Sequence, residues 1–267
     1  MSKAFTFLCG NAFKSLCQYS SASYSDARTH NFDFKVRDDL RNARVFVKLE
    51  YLPTFMEYIK LDFPYTLFTH NSDVPVTGDN ETFNLILEKP EIKKWYSQNV
   101  NFNHPKLFSI PIGLANPKWP HGDPTQMQAA VDQQYWKNKN NILHCNFDIG
   151  TNPVERNKCL QETGLQISKR VPFEQYLEDM GKSYFTLSPN GNGIDCHKHW
   201  EALYLRTIPI VTKSTNIDFY KHLPFLVIND WEDYKNLNLS EELYNEIWGD
   251  FDPKSLHFDN YVKSMQL

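Results

Sequence analysis

Short apolar runs alternate with longer amphipathic stretches along most of the chain, and this alternation predicts a parallel α/β fold. Runs rich in β-branched and aromatic residues predict strands at 44–49, 65–69, 106–110, 141–147, 184–187 and 208–211. Stretches with helical spacing are predicted as helices at 52–59, 91–99, 126–139, 154–162, 173–180 and 240–248. We therefore predict two doubly wound, Rossmann-like domains that face a central cleft.

The less regular segments complete the predicted order. Further strands are expected at 5–9, 165–168 and 223–228, and a polar loop is expected at 20–31. An asparagine-rich run at 138–141 marks the predicted domain boundary. We expect an amino-terminal domain, a carboxyl-terminal domain and a helical tail at 1–138, 139–245 and 246–267. The tail is expected to pack back across both domains.

A glycine-containing turn at 188–196 separates the strand at 184–187 from a helix that is expected to begin near Asp195. The turn follows the carboxyl end of its strand, where open α/β sheets bind ligands. Gly191 and Gly193 permit positive φ and a close approach of the backbone, and the free N–H groups of a helix start favour an anion such as phosphate.

The helix after this turn is expected to present His197, Lys198 and Glu201 on one face. A lysine near a helix amino terminus is unfavourable for the helix dipole, so Lys198 indicates a bound diphosphate, and Glu201 is suited to two ribose hydroxyls. A helix cap with a solvated charged face explains the glycine pattern equally well.

A second polar turn, His70-Asn71-Ser72-Asp73, follows the strand at 65–69. Its position at the carboxyl end of a predicted strand is typical of an active-site loop. Taken alone, a capping Asx turn is the more common explanation for Asn71, Ser72 and Asp73.

The composition of this 267-residue chain limits the classes of partner that we expect. Its net charge is −4 and it has no basic block, which argues against nucleic acid and anionic membranes as partners. No apolar run is long enough to span a bilayer, so a cytoplasmic protein is expected. The five cysteines are widely spread and contain no C-x-x-C pair. This pattern predicts reduced thiols in the core.

The segment YFTLSPNGNGIDCHKHWEAL at 184–203, followed by IPIV at 208–211, LPF at 223–225 and the pair Asp230-Trp231, resembles the carboxyl-terminal signature of exostosin-like glycosyltransferases. That family includes small viral and bacterial members. The resemblance is strong over about a third of the chain and loose over most of it, including Phe46-Val47-Lys48, the His70 to Asp73 turn and 106–113.

The resemblance implies a GT-B architecture and an inverting transfer that needs no obligatory metal or other cofactor. The donor is expected to be a uridine diphosphate (UDP) sugar carrying xylose, galactose, glucuronic acid or a similar sugar, held mainly by the carboxyl-terminal domain. The acceptor is expected to be an oligosaccharide or another glycan on the side of the amino-terminal domain. A viral member would act in the host cytoplasm.

The family pattern also implies roles for individual residues. Glu201 corresponds to the ribose ligand and Lys198 to the residue facing the diphosphate, where the family usually has arginine; lysine keeps the charge but loses the bidentate fork. Backbone donors and polar neighbours of the donor are expected at Gly191, Asn192, Gly193, Asp195 and His197. By analogy with other GT-B enzymes, further donor contacts are expected at Arg170 and Val171, for the base, and at Asn146 and Arg156, at the cleft border.

Inversion requires a general base for the acceptor hydroxyl and positive groups for the leaving nucleoside diphosphate. Asp73 is the predicted base, and His70 is the second candidate because its ordinary pKa lies near neutrality.

Two alternatives remain open. Asp250-Phe251-Asp252 has the D-x-D spacing of metal-dependent glycosyltransferases, although its position before Pro253 favours a surface turn. A non-catalytic carbohydrate-binding or nucleotide-binding protein of the same fold could use tryptophan side chains as sugar platforms: Trp95, Trp119, Trp136, Trp231 and Trp248.

Overall fold

The computed structural model describes residues 6–20, 43–59, 61–265 and 267. Their contacts divide the chain into two compact units. The amino-terminal unit is Cys9–Ile112, and the carboxyl-terminal unit contains Gly113–Leu267 together with residues 6–8. Each unit has its own parallel sheet, which confirms the predicted mixed α/β class.

The sheet of the amino-terminal unit has five parallel strands in chain order. They are β1 Tyr19–Ser20, β2 Ala43–Lys48, β3 Tyr65–His70, β4 Ile92–Ser97 and β5 Leu107–Ser109. The helices of this unit are α1 Gly10–Ser15, α2 Leu52–Tyr58 and α3 Glu81–Glu88. Val45, Phe46 and Val47 are successive buried residues of β2, because both faces of a parallel sheet are covered.

Two predictions in this unit were wrong or incomplete. Residues 91–99 were predicted as a helix, but Ile92–Ser97 forms the strand β4 between β3 and β5. Trp95 is fully buried there and its indole N–H donates to Thr69 Oγ1 at 2.8 Å, so pairing with β3 overrides the helix-like spacing of the apolar residues. Helix α3, capped by the Asn80 side chain, was not predicted.

The sheet of the carboxyl-terminal unit has four parallel strands, also in chain order. They are β6 Asn141–His144, β7 Ser183–Leu187, β8 Ile208–Thr212 and β9 Leu226–Ile228. The helices are α4 Pro124–Gln133, α5 Pro153–Thr163, α6 Phe173–Gly181, α7 His197–Tyr204, α8 Thr215–Asp218, α9 Glu241–Trp248 and α10 Phe258–Ser264. The predicted strand–loop–helix–strand order around 188–196 is confirmed.

The unit boundary differs from the predicted one after Asn138. Residues 113–138 belong to the carboxyl-terminal unit because α4 packs against α6. Helix α4 also ends earlier than predicted, since Gln134 adopts a left-handed conformation with φ of 53°. The predicted tail lies within the same unit: Tyr204 Oη donates to Leu256 O at 2.7 Å, and Phe258 N donates to Thr6 O at 2.9 Å.

The predicted strand at 165–168 is absent as a strand. Ser168 N donates to Cys145 O at 3.0 Å, just beyond β6, but the segment forms no ladder. In both sheets the described strands follow chain order, so the reversal of order that defines a doubly wound sheet is not found among them.

Several expectations concern the ends and the cysteines. Residues 6–9 form isolated bridges, including one between Phe7 and His257, and no strand. The predicted loop at 20–31 lies outside the described residues except for Ser20. All five cysteines are free, as expected. Among the described helices, none combines the length and the apolar composition needed to cross a membrane.

Candidate functional site

The loop between β7 and α7 is held by side chains of α5 and its cap. Buried Arg156 donates through Nη1 to Asp148 O at 2.5 Å, through Nε to Asn190 O at 3.1 Å and through Nη2 to Pro189 O at 3.5 Å. Asn152, the N-cap of α5, donates to Gly191 O at 3.0 Å. Arg156 therefore fixes the loops that follow β6 and β7, instead of standing free at the border of a cleft.

Gly191 is required by this packing and not by positive φ. A Cβ atom at this position would lie 2.9 Å from Arg156 Nη2 and 3.5 Å from Cys196 Sγ. A side chain at this position would therefore require the Arg156 guanidinium to shift. Neither Gly191 nor Gly193 has positive φ, so the freedom of glycine to adopt it is not used in this loop.

The backbone carbonyls of residues 188–191 all accept hydrogen bonds from protein side chains. By contrast, the amides of Asn192, Gly193 and Ile194 donate to no acceptor in the described part of the chain. Successive amides without a protein acceptor are available to solvent or to an anionic ligand.

Helix α7 begins at His197, two residues later than predicted, with Cys196 as its N-cap. Asp195 is buried, and its Oδ1 accepts from Trp200 Nε1 at 2.8 Å, so this carboxylate anchors the helix internally. His197 Nδ1 lies 2.7 Å from Gly113 O. Of the three residues predicted to share a face, Lys198 and Glu201 lie buried together.

Lys198 is only 8% exposed although it bears an ammonium group. Its Nζ donates to Asn146 O at 2.6 Å and lies 5.4 Å from the centre of the Phe147 ring. Burial lowers the pKa of Lys198 to about 8, although Cys145 and Glu201 favour the charged form. A buried ammonium with one protein hydrogen bond is suited to pair with an anion.

Glu201 lies one turn further along α7 and is 5% exposed. Its Oε2 accepts from the hydroxyl of Tyr176, on α6, at 2.9 Å. Burial raises the pKa of Glu201 to about 7, while the Tyr176 hydrogen bond and Lys198 act in the opposite direction. The carboxyl group is therefore balanced between its neutral and charged forms near neutral pH.

Two further polar groups belong to this edge of the sheet and were not predicted. His144, at the end of β6, has Nδ1 2.9 Å from Thr186 Oγ1, and burial together with Lys198 lowers its pKa well below its ordinary value. The buried atoms His144 Nε2 and Ser188 Oγ have no hydrogen-bond partner among the described residues. We call the four side chains that interact with one another, Lys198, Glu201, Tyr176 and His144, the polar cluster.

The predicted base contacts are not connected to this cluster. Arg170 is exposed and Val171 is half-buried in the irregular segment before α6, and neither forms a hydrogen bond with a cluster residue in the described part of the chain. Asn146 contributes its carbonyl to Lys198 and not its side chain.

In the amino-terminal unit, the His70 to Asp73 turn is held by a buried network of uncharged groups. His70 is 1% exposed; its Nδ1 accepts from Asn71 N at 2.7 Å and its Nε2 donates to Pro111 O at 3.0 Å. Because both ring nitrogens are engaged, His70 has a structural role and not that of a base. Asp73 is exposed at the end of the turn.

The two alternative sites are the D-x-D pair and the tryptophan side chains. Asp252 is an exposed cap of the 3₁₀ helix Pro253–Leu256, accepting from Lys254 N at 3.1 Å, so the D-x-D spacing is the expected surface turn. The described residues contain no group of three or more His, Cys, Asp or Glu side chains arranged to hold a metal ion. Of the five tryptophans proposed as platforms, Trp119 is 51% exposed, whereas Trp95, Trp231 and Trp248 are buried.

Comparison with protein-family models and with curated protein sequences finds no match to this chain. The structure shows two parallel-sheet α/β units, and in the carboxyl-terminal unit Lys198 and Glu201 are buried on the helix that follows the loop with unengaged amides.

Proposed function

We propose that the protein is an inverting glycosyltransferase of GT-B architecture that transfers a sugar from a UDP-sugar to a hydroxyl of a glycan acceptor. The carboxyl-terminal unit binds the donor and the amino-terminal unit supplies the general base. The resemblance of residues 184–203 to the exostosin-like signature gives the reaction class. We propose that the reaction takes place in the cytoplasm, which is the host cytoplasm if the protein is viral.

The observation that carries this proposal is the burial of Lys198 and Glu201 on the first two turns of α7, directly after a loop with three unengaged amides. Burying two ionisable groups costs free energy unless each gains a partner. A nucleoside diphosphate supplies both partners: its phosphates accept from Lys198 and the loop amides, and its ribose hydroxyls donate to Glu201.

The chemistry follows from the charges. The acceptor oxygen attacks the anomeric carbon as the Asp73 carboxylate takes its proton, and the bond to the UDP oxygen breaks with both electrons leaving on UDP. Lys198 and the amides of the loop stabilise the negative charge that grows on the diphosphate. A positioned base is worth about 10²- to 10⁴-fold in rate.

A transfer assay tests the proposal. The protein is incubated with UDP-galactose, UDP-xylose and UDP-glucuronic acid plus mixed oligosaccharide acceptors, and UDP release and product mass are measured with and without EDTA. We expect UDP release and a glycosylated product with one donor, unchanged by EDTA. Activity lost in EDTA and restored by Mn²⁺ would contradict the metal-free mechanism.

Trp119 favours a second candidate, carbohydrate binding without transfer. Its exposed indole lies 6.3 Å from the nearly parallel ring of His121, which forms a flat surface of the kind that stacks on sugar rings. Saturable binding of a UDP-sugar and of an oligosaccharide, with no product on any acceptor, would favour this function over catalysis.

A further inference from the structure

Tyr176 reaches the buried carboxyl group of Glu201 from a different helix. Its ring is stacked on Phe173 at 5.8 Å and packs edge-on against His144 at 5.3 Å between ring centres. These aromatic contacts fix the ring, and therefore the hydroxyl, which donates to Glu201 Oε2 at 2.9 Å. Glu201 Oε1 has no hydrogen bond to any other described residue.

Two groups act on the Glu201 carboxyl group: the Tyr176 hydroxyl, from α6, and the Lys198 ammonium group, from the same helix. Arg156, on α5, acts on Lys198 and Tyr176. Burial and the Glu201 carboxyl group raise the pKa of Tyr176 well above its ordinary value, so its hydroxyl remains a donor at neutral pH. The other titratable groups that interact with Lys198 or Tyr176 are His144, Cys145 and Cys196.

We infer that Tyr176 is the positioning residue of the donor site: it holds Glu201 Oε2 so that Oε1 faces the ribose, and its hydrogen bond favours the carboxylate over the neutral acid. This inference rests on the proposed function for the identity of the ligand. A hydrogen bond from a hydroxyl to a carboxylate favours the charged form. Removing the hydroxyl therefore both frees the Glu201 rotamer and favours its protonated form.

The charge effect can be tested without a ligand. Because the pKa of Glu201 is raised in the folded protein from 4.5 to about 7, its stabilising contribution is full below about pH 4.5 and is lost as the pH rises to about 7. The difference in unfolding free energy between wild type and Glu201→Gln should therefore change over this window and then become constant. Chemical denaturation from pH 4.5 to 9 measures it.

The same comparison is then made in a Tyr176→Phe background. Loss of a hydrogen bond to a charged group raises the pKa of that group by about one to two units. The difference in unfolding free energy caused by Glu201→Gln should therefore become constant about one to two pH units higher in this background. Tyr244→Phe is the matched control. Tyr244 lies on α9, and its hydroxyl donates to Arg206 O at 2.8 Å instead of to Glu201. A constant region that begins at the same pH with and without Tyr176 would overturn the inference.

Binding of UDP, measured by calorimetry between pH 6 and 9, tests the positioning role. If loss of the Tyr176 hydroxyl raises the pKa of Glu201 by about one unit, the charged fraction of Glu201 at pH 7 falls about fivefold. The affinity of Tyr176→Phe for UDP should then fall at least fivefold at that pH. The loss should shrink towards pH 8. Titration of UDP itself is common to both proteins and does not affect the comparison.

The two proposals fail in different ways. Absence of UDP binding by the wild-type protein overturns the proposed function and the ribose role, whereas the ligand-free experiment still decides whether Tyr176 controls the charge of Glu201. An equal loss of UDP affinity at every pH would show a merely structural role and overturn the positioning inference.

Discussion

The carboxyl ends of the two sheets carry contrasting kinds of buried polar group. In the amino-terminal unit, His70, Gln98 and Asn99 are uncharged side chains that hydrogen-bond to the backbone of Asn71 and Ser72. In the carboxyl-terminal unit, Lys198 and Glu201 are ionisable, and burial shifts the pKa of each towards neutrality. A satisfied network stiffens a loop, whereas buried ionisable groups leave interactions for a ligand to complete.

The largest effect is expected from Asp73→Asn, which removes the proposed base from the turn held by the uncharged network. Turnover of the UDP-sugar should fall about 10³-fold because amides do not accept the acceptor proton, while the Kd for UDP should stay within about twofold. Steady-state kinetics and calorimetry measure the two quantities. Exposed Asp79, in the same unit, gives the control Asp79→Asn. Near wild-type turnover by Asp73→Asn would remove Asp73 from the mechanism.

A smaller effect, about 10²-fold in UDP affinity, is expected from Lys198→Met, because the diphosphate loses a desolvated positive partner. Lys139→Met is a matched control: burial lowers the pKa of Lys139 to about 7 as well, but its ammonium group bonds to Gly181 O and Ser183 O, at the start of β7. Calorimetry with UDP at pH 7.5 should show the loss only for Lys198→Met. Equal losses would mean that the contrast between the two lysines has no functional meaning.

The lowered pKa of Lys198 also predicts a pH dependence of stability. A folded-state pKa of about 8 means that the charged lysine is destabilising below pH 8 and that this cost is relieved as the pH rises towards 10.5. Lys198→Met should flatten that rise in unfolding free energy between pH 8 and 10.5.

The smallest effect is expected from Gln98→Ala in the uncharged network. Gln98 accepts from Asn71 N at 2.9 Å and donates to Ser72 O, but both backbone groups have a second partner, in His70 and Asn99. The unfolding free energy should fall by about 1–2 kcal/mol with no change in UDP affinity. Exposed Asn101 provides the control Asn101→Ala. A loss of UDP affinity in Gln98→Ala would break the distinction between the two sheet edges.

Much of the fold could be predicted from the sequence, because buried parallel strands appear as apolar runs such as 44–49 and 208–211. The failures occurred where tertiary contacts decide. Residues 91–99 have helix-like spacing but pair between two strands. Residues 165–168 have strand-like composition, but only one backbone hydrogen bond, from Ser168 N to Cys145 O, joins them to the segment after β6. The unit boundary was missed because the packing of α4 on α6 has no local signal.

The site was predictable only in part. Lys198 and Glu201 were found because they follow a glycine turn at helical spacing, and the structure buries them together. Tyr176 was missed because it lies on α6, whereas Glu201 lies on α7. No local sequence pattern indicates that a tyrosine of one helix contacts a carboxyl group of another. His144 ends a strand, which is a usable signal, since polar residues at carboxyl ends of parallel strands line ligand sites.

The most direct test of the donor site is a crystal structure of the protein with bound UDP. We predict diphosphate oxygens at about 2.7–3.2 Å from Lys198 Nζ and from amide nitrogens among residues 192–194, with a ribose hydroxyl on Glu201. UDP bound elsewhere, with Lys198 still bonded only to Asn146 O and Glu201 only to Tyr176, would contradict the account.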